Sequence, residues 1–113
     1  MKSDWMRIAC VSLLLIAILG FVSLPGHAQG DAAALFKQKC AVCHGADATG
    51  NVPMGKTLKV PDLHSADVQK QTDAQLTDAI TNGKGKMTAY KGKLTDEQIK
   101  QLVAFTRDLA KKK

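Results

Sequence analysis

Residues Cys40-Ala41-Val42-Cys43-His44 place two thiols three positions apart, with an imidazole directly after the second. That spacing is read as a covalent haem attachment site. Each cysteine sulfur can add to one vinyl group of the porphyrin, forming two thioether bonds along one haem edge. The adjacent imidazole then comes under the ring to ligate iron, and histidine is a standard axial ligand. Five residues therefore specify a cofactor, haem c held through Cys40 and Cys43, and one iron ligand, His44. The pattern is short, so the remaining residues have to supply what such a haem needs.

The first need is a sixth ligand, without which the iron stays open to gas or substrate. Four methionines are present, and Met1 and Met6 fall in the N-terminal segment expected to be removed, which leaves Met54 and Met87. Met54 follows His44 by only ten residues. An extended chain covers about 3.3–3.6 Å per residue, so reaching the opposite haem face from there is tight. Met87 lies in Asn82-Gly83-Lys84-Gly85-Lys86-Met87-Thr88-Ala89-Tyr90-Lys91-Gly92-Lys93, a polar segment whose glycines let backbone turn close to a ring. Methionine usually fills gaps in a core. On a polar, glycine-rich loop in a chain that carries a haem motif, the ligand role is the better reading. Met87 is the expected sixth ligand; Met54, His64 or an open site are the alternatives.

Other uses of the thiols find little support. A thioredoxin-like pair needs a strand–helix context, and zinc needs a second Cys or His pair at suitable spacing. Two exported cysteines this close could form a disulfide.

The elements that must position these groups read as helices. Asp31 caps a helix expected to begin at Ala32, and Ala32 to Lys39 are mostly good helix formers running into Cys40. From Gly45 to Pro61, the residues Gly45, Gly50, Asn51, Pro53, Gly55 and Pro61 interrupt any periodicity. A long loop is expected there, wrapping one edge of the haem. Ser65 can cap a brief turn through Gln69. Thr72-Asp73-Ala74-Gln75 is a capping box that opens a helix ended by Gly83. Thr95-Asp96-Glu97-Gln98 repeats the box, and behind it Ile99, Leu102, Val103, Thr106 and Leu109 form one apolar stripe. No segment alternates like a strand. The fold class is all-α, with short helices and long loops.

The 113 residues allow one domain at most, and the N-terminus shortens it. Lys2 and Arg7 flank an uncharged stretch from Ile8 to Leu24; Pro25 breaks it, and Gly26-His27-Ala28 offers small residues at a cleavage site. This order is that of a secretory signal peptide. Residues 1–28 are therefore expected to be removed, leaving 29–113 as a periplasmic domain. An uncleaved membrane anchor is the alternative, although the stretch is shorter than the roughly 20 residues of a spanning helix. Cleavage also removes Cys10 and Trp5, so both remaining cysteines belong to the motif and few aromatics remain. A domain this small buries little surface, and a large flat apolar cofactor would complete its core.

With these residues assembled, 31–113 resembles the small bacterial class I c-type cytochromes. The likeness rests on Leu35-Phe36 leading into Cys40-Ala41-Val42-Cys43-His44-Gly45, on Pro61-Asp62-Leu63, on Gly83-Lys84-Gly85-Lys86-Met87, and on Leu94-Thr95-Asp96-Glu97-Gln98-Ile99. The resemblance implies a cytochrome c fold of three to four helices around one covalently bound haem, with His44 on one face and Met87 on the other. It implies that the first and last helices cross, bringing Phe36 near Leu102 and Phe105. It also implies that the Pro61 carbonyl accepts a hydrogen bond from the His44 ring nitrogen not on iron, and that Leu63 packs on the haem. Three features depart from the family pattern: Ala32 where relatives often have Gly, Thr88 where Pro often follows the ligand Met, and no tryptophan after residue 28. Propionate partners must then come from elsewhere, with Lys56 and Lys59 as candidates.

Iron bound by His and Met has no vacant position for substrate, which points to one-electron transfer rather than an enzyme. Residues 29–113 carry fourteen Lys and Arg against nine Asp and Glu, and Lys84, Lys86, Lys91 and Lys93 surround Met87. These lysines are either a solvated loop or a basic ring that steers the protein toward acidic faces of redox partners. The expected partners are a quinol-oxidising complex and a terminal oxidase or reductase, met by a monomer that is not membrane-embedded. Nucleic acid is not expected, because an exported haem protein rarely meets it. The competing functions are a haem peroxidase or sensor whose Met87 dissociates, and a membrane-tethered cytochrome subunit of an oxidase or dehydrogenase.

Overall fold

Local sequence signals account for most helix starts in the computed structural model, which describes residues 28–112. The residues read as the basic and apolar parts of a signal peptide lie outside these. Among the described residues, six helical segments occur: α1 Ala28–Lys39, α2 Ala41–His44, α3 Pro53–Leu58, α4 Ala66–Gln69, α5 Asp73–Asn82 and α6 Asp96–Leu109. Three have ten or more residues and three have four to six, which matches an all-α fold of few helices with long connections. Among the described residues there is no strand, only isolated bridges at Lys84–Met87 and Lys91–Leu94.

Both capping boxes form. Thr72 and Gln75 exchange hydrogen bonds at the start of α5, and Thr95 and Gln98 do so at the start of α6. Ser65 accepts from the Val68 amide and caps α4. Each device satisfies backbone donors that the first helical turn leaves open.

Two expectations are corrected. The first helix begins at Ala28, so Asp31 lies in its first turn rather than at its cap; a carboxylate there still favours the positive helix end. The segment from Gly45 to Pro61 is not structureless, because α3 occupies its middle. Pro53, taken as a breaker, is at the start of α3. There its fixed φ suits a helix and its missing N–H leaves no bond unmade.

The core is built on α6. Ile99, Leu102, Val103, Thr106 and Leu109 are all buried, as the helical stripe requires. The α1 helix packs across α6, with the Phe36 ring 5.0 Å from the Phe105 ring at a tilt of 37°. Ala32, one turn before Phe36 on the same face of α1, is also buried. The α5 helix packs on α6, where Leu76 joins Val68 and Val103 in a second apolar cluster. Leu63 and Ile80 touch both clusters.

Polar side chains fix the connections to α6. The Gln69 amide donates to the carbonyls of Leu63 at 2.8 Å and Thr106 at 2.9 Å. Arg107 donates to the carbonyls of Gln69 and Gln71 and to the Asp73 carboxylate. One guanidinium thereby holds the α4–α5 connection to the last helix, a use suited to its forked donors.

Candidate haem site

Cys40 is the pivot between α1 and α2. Its amide donates to the Phe36 carbonyl at 2.8 Å and so completes α1, while its own carbonyl accepts from the amides of Cys43 and His44. The motif is thus a single helical turn. Residues three apart on a helix lie on one face, so Cys40 and Cys43 share a face of that turn. Both are free thiols and both are partly buried.

Burial, and secondarily the neighbouring Cys43 thiol, pushes the Cys40 pKa up to about 11. Burial also lowers the pKa of His44 below the ordinary imidazole value. A lowered value keeps the ring neutral near pH 7, which is the form that can bind a metal ion. The His44 ring lies 6.2 Å from the Phe36 ring, and its Nδ1 is buried without a hydrogen-bond partner. The expected bond from this nitrogen to the Pro61 carbonyl is therefore not made. A Cβ built on Gly50 would sit 2.7 Å from the Val60 carbonyl oxygen and 3.7 Å from that of Pro61.

Close backbone contact holds the turn from behind. The α3 helix packs on α2, and a Cβ built on Gly55 would sit 2.4 Å from the Cys43 carbonyl oxygen and 2.3 Å from that of Gly50. Only hydrogen fits there. The Leu63 amide donates to the Ala48 carbonyl at 2.9 Å, which fastens the Pro61-Asp62-Leu63 segment to the loop leaving the motif. Ala48 is fully buried at that junction and holds a positive φ of 62°.

Met87 lies in the connection between α5 and α6 and is half-buried. Its amide donates to the Lys84 carbonyl across a tight turn. Gly83 at the root of that turn has φ 78°, and a Cβ there would meet the Met87 carbonyl oxygen at 2.6 Å. Beyond the turn, the amides of Tyr90 and Lys91 donate to the carbonyls of Ile80 and Thr81. The Tyr90 hydroxyl donates to the Lys39 carbonyl at 2.9 Å. Burial raises the pKa of that hydroxyl, and the thiols of Cys40 and Cys43 add to the shift.

The other candidate ligands have different surroundings. Met54, on α3, is 46% exposed. His64 Nδ1 lies 2.7 Å from the Asp62 carboxylate, which also accepts from the His64 amide. Lys56 and Lys59 are exposed on and just after α3. A surface cavity of about 470 Å³ beside Gln75, Asp78, Gly83 and Lys84 is lined by none of the motif residues.

Sequence reasoning did not single out Gly55, Ala48 or Tyr90. The signal for Gly55 was Pro53, which in hindsight marks a helix start two residues earlier. Tyr90 carried no local signal, because its partner is 51 residues away.

A helical domain in which a Cys-x-x-Cys-His turn joins the first helix to its core defines the class of small c-type cytochromes. Comparison with known proteins agrees. The family model described as "Cytochrome C oxidase, cbb3-type, subunit III" matches residues 27–105. A cytochrome c6 of Leptolyngbya boryana is 40% identical over 85 residues, covering 73% of this chain and 96% of that protein. A cytochrome c6 of Thermostichus vulcanus is 39% identical over 107 residues, covering 90% of this chain and 92% of that one. The solved structure of the KustC0563 c-type cytochrome superposes with a TM-score of 0.64 at 31% identity, over 69% of this chain and 95% of that one. The chain belongs to the class I c-type cytochrome family.

Proposed function

We propose that this protein is a one-electron carrier with a single haem c, attached through Cys40 and Cys43 and ligated by His44 and Met87. The observation that carries the reading is the His44 side chain. It is half-buried with its Nδ1 buried and unpartnered, its pKa is lowered by burial, and it directly follows the second of two cysteines on a single helical turn. A buried polar nitrogen with no partner costs free energy. In the family pattern that Nδ1 is the one bonded to a backbone carbonyl, and the Pro61 segment is already tied to the motif loop through Leu63 and Ala48. The residues present therefore fit haem c.

When bound, haem supplies an iron that changes charge by one electron. The chain's own residues do the rest. Cys40 and Cys43 hold the group and fix its orientation. His44 and Met87 leave no position for substrate, and thioether sulfur raises the potential. Met87 is favoured over Met54 and His64, because Met54 is more exposed than the half-buried Met87 and His64 is engaged with Asp62. Leu63 would line the cofactor, and the Pro61 carbonyl would receive the His44 N–H with the ring bound to iron, a contact that orients such ligands.

Residues 1–28 direct export and are cleaved, and 29–113 works in the periplasm as a diffusible monomer. It passes electrons from a quinol-oxidising complex to a terminal oxidase or reductase. Similarity to cytochrome c6 proteins supports the carrier role. Among the described residues, no helix is long and apolar enough to cross a membrane.

The description of the matching family favours one second reading, a redox subunit docked or tethered at an oxidase. Fractionation separates the two. The carrier is found in the periplasmic extract starting at residue 29, whereas a tethered subunit stays in washed membranes with residues 1–28 retained. The function itself is tested by a reduced-minus-oxidised spectrum with redox titration of the purified protein. A single one-electron haem c transition supports it, and the absence of covalent haem overturns it.

A further inference from the structure

Tyr90 stands three residues after Met87 and joins three parts of the chain that are distant in sequence. Its amide is held by Ile80 at the end of α5, and its carbonyl accepts from Lys93 and Leu94 at the entrance to α6. Its ring packs against the cluster that contains Phe36 and Leu94. Its hydroxyl donates to the carbonyl of Lys39, the last residue of α1. That carbonyl is one a helix end leaves open. The Cys43 amide, which would continue α1 by bonding to it, turns to the Cys40 carbonyl instead. The two halves of the candidate site, the attachment turn and the Met87 loop, otherwise belong to different elements.

The tip of this loop is lightly held. A single turn bond links Met87 to Lys84, and Gly85 has open space around it. Thr88 does not restrict the backbone as a proline there would. Holding Met87 near the attachment turn therefore falls to whatever spans the two.

From this geometry we infer that Tyr90 is a positioning residue, a latch whose hydroxyl ties the Met87 loop to the attachment turn and keeps the Met87 sulfur on iron. The inference rests on Met87 being the second axial ligand. Loss of the hydroxyl leaves the ring packing in place and removes only the tether. Met87 then leaves iron more often. One hydrogen bond of ordinary strength corresponds to about a fivefold change in such an opening equilibrium.

The test uses the haem-loaded protein and the Tyr90→Phe variant, with Val103→Ala as a control that loosens the second apolar cluster, to which Tyr90 does not belong. Cyanide binding to the ferric form reports how often Met87 leaves. The latch predicts about a fivefold faster cyanide reaction in Tyr90→Phe, and in Val103→Ala a lower melting temperature with an unchanged cyanide rate. Equal cyanide rates in wild type and Tyr90→Phe overturn the latch while leaving Met87 ligation intact. An equal acceleration in both variants also overturns it, because general loosening then suffices. If the wild-type ferric protein lacks the far-red band of a methionine–haem bond, the ligand assignment and the latch fall together. Hydrogen exchange of the unaltered protein reads the same tether without a substitution. The amides of Cys43 and His44 should open with those of Tyr90 and Lys91 at a common rate, and independent opening contradicts the latch.

Discussion

At the scale of single residues, burial sets the protonation state of two motif side chains, His44 and Cys40. Burial keeps His44 neutral and so ready to bind metal, and it keeps Cys40 in the thiol form, with its pKa raised to about 11. The direction of the thiol shift can be tested in the chain before haem attachment. An exposed cysteine titrates near 8.5 and is alkylated at its full rate above about pH 9.5. Cys40 should instead react slowly at pH 8 and keep accelerating, about tenfold per pH unit, until close to pH 11. Peptide mapping of iodoacetamide adducts against pH measures this, and a plateau by pH 9.5 contradicts it. The same shift makes the unloaded fold less stable as pH rises from about 9 to 11, because Cys40 ionises earlier in the unfolded chain than in the folded one.

At the scale of elements, what supports the motif is the short α3 helix pressed against its back. The side chain absent at Gly55 is what allows that approach. Gly55→Ala drives a methyl into two backbone carbonyls, which cannot rotate away as a side chain would. It should cost about 3 kcal/mol, the upper end for overpacking. Gly85→Ala meets no neighbour and bears only the strain of its positive φ of 58°, about 1–2 kcal/mol. Urea unfolding of both variants measures the difference, and a harmless Gly55→Ala contradicts this account of α3. These cases also show where sequence reading works. The starts of α4, α5 and α6 were legible because Ser65, Thr72 and Thr95 act within three residues of themselves. The buried stripe of α6 was legible because its period is local. The Cys40–His44 motif was legible because chemistry restricts which residue types can serve at that spacing. By contrast, α3 was missed because Pro53 both breaks and starts helices, and α3 depends on Gly55 meeting the Cys43 carbonyl. The Tyr90–Lys39 bond, the Arg107 clamp and the Gln69 bridge join residues 34 to 51 positions apart, and no short pattern encodes such contacts.

At the scale of the whole molecule, the chain brings one attachment turn and one methionine loop together on a base formed by α1 and α6, and surrounds the loop with positive charge. Lys84, Lys86, Lys91 and Lys93 are all exposed. If they steer encounters, electron transfer to an acidic-faced redox protein should slow about tenfold between 0.01 M and 0.15 M salt, as the screening length shrinks from about 30 Å to about 8 Å. Replacing the four lysines by glutamine should remove most of that dependence while leaving the haem spectrum unchanged. Stopped-flow rates measure this, and equal salt slopes in the two proteins would show the lysines to be an ordinary solvated loop. All of this presupposes a closed iron, because an electron carrier differs from a haem enzyme in having both axial positions filled by the chain. The most direct measurement is the far-red absorption of the ferric protein beside that of Met87→Ala. The account predicts a methionine–haem charge-transfer band in the wild type and its loss in the variant, with rapid cyanide binding appearing only in the variant. A wild-type spectrum without that band, or a band that survives Met87→Ala, contradicts it.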